Sequence, residues 1–171
     1  MISKKGLLPK EFLIADKYSV LLFIKKGRNA ETYRVKDGNN KICFLKLFDY
    51  TKIKETSFDE NNNLLEIEFL KNLHHDNVVS YIDDGELIFL NRKFIYLVLN
   101  FIPGETLSER IGREPIYSYY DVKHIMTDVL RGLSYLHNQN DPIIHNEITP
   151  HNIMLDLTGD IPKSVIIDFG Y

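Results

Sequence analysis

Between residues 18 and 100 the chain alternates short apolar runs with polar punctuation. The runs 18–25, 31–36, 42–48, 79–82, 87–90 and 94–100 are rich in β-branched, aromatic and aliphatic residues, which predicts strands. Gly27-Arg28-Asn29, Asp37-Gly38-Asn39-Asn40, Asp83-Asp84-Gly85 and Asn91-Arg92 separate them as turns. Between the third and fourth runs, residues 59–73 predict a helix. After Pro103-Gly104 the period lengthens. A short helix is expected over 106–111 and a long one over 121–137, where Val122, Ile125, Met126, Val129, Leu133 and Leu136 recur three and four apart. A polar loop (141–152), a strand at 153–155, a turn at Thr158-Gly159-Asp160 and a strand at 165–167 follow. The pattern is α+β in two lobes: an arm over 1–17, a strand-rich lobe over 18–100, a joint at 101–104 and a more helical part over 105–171.

Charge and cysteine usage narrow the setting. A formal net charge of −3 argues against a nucleic-acid-binding face, which needs clustered cations. Lys4-Lys5 and Lys25-Lys26-Gly27-Arg28 are short enough to be solvated. The single cysteine, Cys43, excludes an internal disulfide, fits a reducing compartment, and sits in an apolar stretch as a small buried hydrophobe would. No apolar run approaches the roughly 20 residues that span a bilayer, so no membrane partner and a cytoplasmic location are expected.

The polar loop carries the strongest chemical signal. His145-Asn146-Glu147-Ile148-Thr149-Pro150-His151-Asn152 is followed, sixteen positions after Asn152, by Asp168-Phe169-Gly170 behind the apolar Val165-Ile166-Ile167. This pairing resembles the catalytic loop and metal-binding triplet of protein kinases. Ile42-Cys43-Phe44-Leu45-Lys46 resembles the strand that bears the family's phosphate-pairing lysine. Glu66, with Phe69, Leu70 and Leu73 three, four and seven positions on, lies on an apolar helical stripe. A carboxylate there is costly unless paired, and Lys46 is the partner the resemblance supplies. The run 24–33 resembles the phosphate-covering hairpin, with Gly27 as its middle glycine and Lys25 and Ala30 in the outer glycine places. Glycine suits such a place because backbone must approach phosphates closely and adopt unusual dihedrals. The run 96–107 resembles the strand and hinge that pair with adenine.

The resemblance covers about 18–170 and implies a two-lobed fold, with an antiparallel five-stranded N-terminal lobe bearing one helix and a partial helical C-terminal lobe. It implies ATP and Mg²⁺ as cofactors and a protein serine or threonine hydroxyl as acceptor. Site roles follow residue by residue. Asn100 and Ile102 would offer backbone groups to the base, and Leu99 would stand behind it. Ile24, Thr32, Phe44 and Met154 would flank it. Gly27, Ala30 and Lys46 would meet the phosphates, with Lys46 held by Glu66. Asn152 and Asp168 would hold the metal, and Glu147 would accept the hydroxyl proton, with Thr149 beside it.

Three residues depart from the family pattern. Glu147 stands for Asp: basicity is similar, but one extra methylene shifts the carboxylate by about 1 Å, which can cost on the order of 100-fold. Thr149 stands for a Lys whose loss costs roughly 10²–10³ in rate. Asn146 stands for the Arg that holds a phosphorylated activation loop, so that route of switching is not expected. The departures keep open a pseudokinase acting by interaction. The similarity of His145-Asn146-Glu147 to the loops of choline and aminoglycoside kinases adds a small-molecule kinase as a third reading. The family continues past Gly170, so the apolar face of the 121–137 helix is expected to need a further part of the polypeptide, or a partner chain, to cover it.

Overall fold

The computed structural model describes residues 5–113 and 117–169. They form two compact units. One runs through Lys71 and resumes over Tyr81–Phe101; the other comprises Asn72–Ser80 and the chain from Ile102 onward. The mixed α and β architecture, with its antiparallel, sheet-rich first unit, is that of a protein-kinase-like fold.

The first unit is built on β1 (Leu13–Ile14), β2 (Tyr18–Lys26), β3 (Ala30–Lys36), β4 (Ile42–Asp49), β5 (Tyr81–Phe89) and β6 (Arg92–Asn100). The five expected strands pair in the order β2-β3-β4-β6-β5, and the two-residue β1 adds a sixth at the β2 edge. Register sorts the side chains onto two faces. Tyr33, Val35, Cys43, Leu45, Leu47, Phe94, Tyr96 and Val98 form a buried cluster on one. Leu8 and Ile14 from the arm complete that cluster, with Leu7 and Phe12 packed against it. The arm is therefore a lid on the sheet's apolar face; each buried aliphatic side chain there contributes about 1.5–3 kcal/mol. Cys43 is free and 1% exposed, and burial raises its thiol pKa.

Three expected elements are corrected. The helix predicted over 59–73 is shorter: α1 spans Leu65–Lys71. Asp59 stops it from starting earlier, because its carboxylate accepts from the backbone N–H groups of Asn61 and Asn63 at 2.9 and 2.7 Å. Asn62 turns into the left-handed region at φ 63°. Asp and Asn side chains compete in this way with helical hydrogen bonding. The turn predicted at Asp83-Asp84-Gly85 is instead continuous strand within β5. Asp83 accepts from Lys17 and Tyr18 (3.1 and 3.0 Å), and Asp84 from Tyr81 (2.5 Å), so cross-strand partners replace turn geometry. Val79 leaves the predicted 79–82 strand and donates to Ile166 in the second unit.

The second unit holds β7 (Gly104–Thr106), β8 (Ile153–Asp156) and β9 (Lys163–Ile166) as one antiparallel sheet, with α2 (Leu107–Arg113) and α3 (Tyr119–His137). Helix α3 starts at a capping box: Ser118 Oγ accepts from Asp121 N (3.1 Å), and the Asp121 carboxylate accepts from Ser118 N (3.1 Å). It buries Ile125, Asp128, Val129, Gly132 and Leu136 and leaves Tyr119, Val122, Met126 and Leu130 exposed. The expected uncovered apolar face is thus present. No described helix is long and apolar enough to cross a membrane.

Candidate functional site

In the first unit, residues assigned to one ligand fall on one face of the sheet. The register sets Thr32 opposite Lys46 and Lys46 opposite Leu97, and sets Phe44 opposite Leu99. Lys46 Nζ lies 2.5 Å from Glu66 Oε1, and the residues are 8% and 5% exposed. Helix α1 supplies the carboxylate because Glu66 shares its buried side with Ile67 and Leu70. An ammonium and a carboxylate desolvated together hold each other in place, and removing one member of a buried pair is strongly destabilising.

The rest of this half is placed by β2 and its turn. Thr32 is buried and its Oγ1 donates to the Lys25 carbonyl at 3.3 Å. Gly27 N donates to the Ala30 carbonyl at 2.8 Å, closing the hairpin. No described glycine has a positive φ, so Gly27 is not used for an unusual dihedral; a β-carbon there would meet Ala30 O at 3.3 Å. A bulge between Phe23 and Lys25 takes Ile24 out of the regular β2–β3 register, and Ile24 is 40% exposed. Leu99 is buried and Asn100 half-buried at the end of β6.

In the second unit, hydrogen bonds tie the 145–152 loop to the 165–169 segment. His145 Nε2 donates to the Ile167 carbonyl (3.1 Å), and its ring lies 4.8 Å from that of Phe169. Ile167 N donates to the Asn152 carbonyl (2.9 Å), while Asn152 Nδ2 donates to the Glu147 carbonyl (3.0 Å). Asn152 is 8% exposed, Glu147 is exposed, Thr149 is half-buried and Asp168 is half-buried. Asn146 and Asp168 hold left-handed backbone at φ 62° and 66°. Asn and Asp are the non-glycine types that accept this region most readily, so Asn at 146 suits the bend. Ile102 and Met154 also lie in this unit, both half-buried, with Met154 opposite Thr106 and Val165. Gly170 lies outside the described residues.

Two buried polar residues that hold β9, the strand leading to Asp168, were not singled out from the sequence. Asp128 accepts from Ser164 N at 3.0 Å, and Asn77 Nδ2 donates to the Ser164 carbonyl at 2.8 Å, so both grip β9 just ahead of Asp168. A carboxylate between Ile125 and Val129 on an apolar helical stripe was the available signal for Asp128. It is the same signal that marks Glu66.

The profile of the protein kinase domain matches residues 18–171. Calcium/calmodulin-dependent protein kinase type 1 of Macrobrachium nipponense is 25% identical over 159 residues, 92% of this chain and 44% of that protein. Mitogen-activated protein kinase kinase kinase A of Dictyostelium discoideum is 35% identical over 105 residues, 61% of this chain and 10% of that protein. The probable serine/threonine-protein kinase fhkD of the same organism is 27% identical over 165 residues, 95% of this chain and 21% of that protein. The chain spans less than half the length of each of these relatives. On the match across residues 18–171, this chain belongs to the protein kinase domain family.

Proposed function

We propose that this chain is the ATP-binding and catalytic-loop portion of a cytoplasmic protein serine/threonine kinase that moves the γ-phosphoryl group of ATP to a protein hydroxyl. The observation that carries the proposal is the buried Lys46–Glu66 pair at 2.5 Å, since a cation fixed in advance is what phosphates require of a protein. In this reading Lys46 meets the phosphates, and Gly27 and Ala30 lie along them. Ile24, Thr32, Phe44, Leu99 and Met154 flank the base, whose edge pairs with the backbone of Asn100 and Ile102. Glu147 takes the proton as the acceptor oxygen bonds to phosphorus and the β–γ bridging bond breaks, with Thr149 beside the moving group.

Asn152 and Asp168 would hold Mg²⁺, which when bound neutralises phosphate charge. The donor set fits that ion. Asn152 commits its NH₂ to the Glu147 carbonyl and keeps its Oδ1 as the acceptor, and Asp168 adds a hard carboxylate. Among the described residues no three His, Cys, Asp or Glu side chains cluster as a metal cage. Mg²⁺ bound chiefly by phosphates and water needs only one or two protein ligands.

The test is incubation of the full-length protein with γ-labelled ATP and Mg²⁺. Label on protein serine or threonine, lost in Lys46→Met, is expected; an intact protein that transfers no label to any hydroxyl would refute the reading. Glu147 and Thr149 favour a second reading, a nucleotide-binding module of weak or no activity that acts by interaction. The double variant Glu147→Asp/Thr149→Lys separates the two. A rate gain on the order of 10² marks a hindered enzyme, and an unchanged background in a nucleotide-binding protein marks the module.

A further inference from the structure

Helix α3 presents a third face besides its buried and apolar ones. Tyr120, Lys123, His124, Thr127 and Arg131 lie on it, about 120° round the helix from the Val122–Met126–Leu130 side. This face lines a cavity of about 490 Å³ whose other lining residues include Arg110, Leu155, Ile161 and Pro162. The volume is in the range of peptide- and ligand-sized sites.

Among the described residues that line the cavity, cations outnumber carboxylates. Among these described lining residues, three permanent cations, Arg110, Lys123 and Arg131, stand against one carboxylate, Asp121. That carboxylate is already engaged as the helix cap, accepting from Ser118 Oγ at 2.7 Å, and this hydrogen bond lowers its pKa. Arg110 and Arg113 both pair with the Glu105 carboxylate. Arg131 reaches Asp128 only at 3.6 Å and its side chain is 65% exposed. Lys123 is exposed and forms no ion pair among the described residues. The lining also includes the apolar Ile125, Leu155, Ile161 and Pro162.

We propose that this cavity is a docking site for a short acidic peptide segment of a partner protein. One apolar side chain of that segment enters against Ile125, Leu155 and Pro162, and flanking carboxylates meet Lys123, Arg131 and Arg110. Charge complementarity selects the occupant, because long cationic side chains at a rim steer and orient an anionic partner. A small inorganic anion would fill little of the volume and leave the apolar walls wet. None of these residues is assigned to nucleotide binding or transfer, so this proposal and the kinase reading stand or fall separately.

The experiment uses the full-length protein and a fluorescein-labelled hexapeptide of five carboxylate residues around one leucine, followed by anisotropy at low salt. Saturable binding is expected, weakened about tenfold or more in Lys123→Glu/Arg131→Glu. The same variant should gain affinity for the peptide with lysines in place of the carboxylates, a reversal that a misfolded protein could not show. Four results overturn the proposal. They are no binding of the acidic peptide by the unaltered protein, undiminished binding by the double variant, equal binding of a control peptide with Asn and Gln in place of the carboxylates, or full displacement by sulfate at matched ionic strength together with equal binding of a control peptide that has Ala in place of the leucine.

Discussion

Glu66→Ala would leave the Lys46 ammonium in a setting where the pair is 8% and 5% exposed. Breaking a buried pair by removing one partner costs about 3–5 kcal/mol, a large share of the roughly 5–15 kcal/mol that holds a domain together. With a urea m-value of about 2 kcal/mol per molar, the unfolding midpoint of the first unit should fall by about 1.5–2.5 M. Removing both charges in Lys46→Met/Glu66→Leu conserves volume and takes away the desolvation cost, so most of the loss should return. The chain has no tryptophan, so far-UV circular dichroism is the suitable probe of unfolding. Anisotropy of a fluorescent ATP analogue gives the second readout. The apolar double variant should be stable yet fail to bind nucleotide, which separates the pair's part in the fold from its part in the proposed chemistry. If Glu66→Ala shifts stability by less than about 1 kcal/mol, or the double variant is as unstable as the single, the desolvated-pair argument is wrong.

Three further outcomes follow from the same geometry. In Gly104→Ala the new β-carbon would lie 1.8 Å from the Leu155 carbonyl oxygen, a backbone atom fixed by the β7–β8 pairing. A loss of about 2–3 kcal/mol, seen as a Tm lower by on the order of 10 °C in calorimetry, is expected. Ser118→Ala removes half of the α3 capping box and should cost about 1 kcal/mol in chemical denaturation, while Ser118→Asp should retain most of it. Burial raises the Glu31 pKa, but hydrogen bonds from Tyr33, Leu7 N–H and Lys26 outweigh it and hold the value below the ordinary 4.5. A depressed folded value gives stability that is present above 4.5 and lost as the pH falls through the folded value. Glu31→Gln should therefore flatten the acid limb of an unfolding-versus-pH profile.

What could be read from the sequence was what a local rule encodes. Strand runs survived because alternation along β3, β4 and β6 sets one face against a core, and Glu66 was legible because an acid on an apolar stripe demands a partner. The arm was not legible. Leu7, Leu8, Phe12 and Ile14 lie in a mixed, irregular stretch with no period, and only the sheet face they cover gives them a role. The Asp59 loop and the β5 aspartates failed in opposite directions for one reason. Asp and Asn take whichever partners tertiary structure supplies: local N–H groups at Asp59, and Lys17, Tyr18 and Tyr81 at Asp83 and Asp84. Composition alone does not choose between those outcomes.

The candidate residues of the two units are held in place by different means, and that bears on what the departures from the family pattern do. In the first unit the assigned lysine is held by a desolvated side-chain pair with Glu66. In the second, the loop is held through backbone carbonyls of Glu147, Asn152 and Ile167 and by left-handed turns at Asn146 and Asp168. The Glu147 side chain takes no part in those bonds; its carbonyl does. Substituting that side chain therefore changes where a carboxylate reaches while the loop path stays set by His145, Asn152 and their partners. A cost at position 147 is thus one of reach rather than of folding, which is why reverting Glu147 and Thr149 interrogates the chemistry without disturbing the scaffold that presents it.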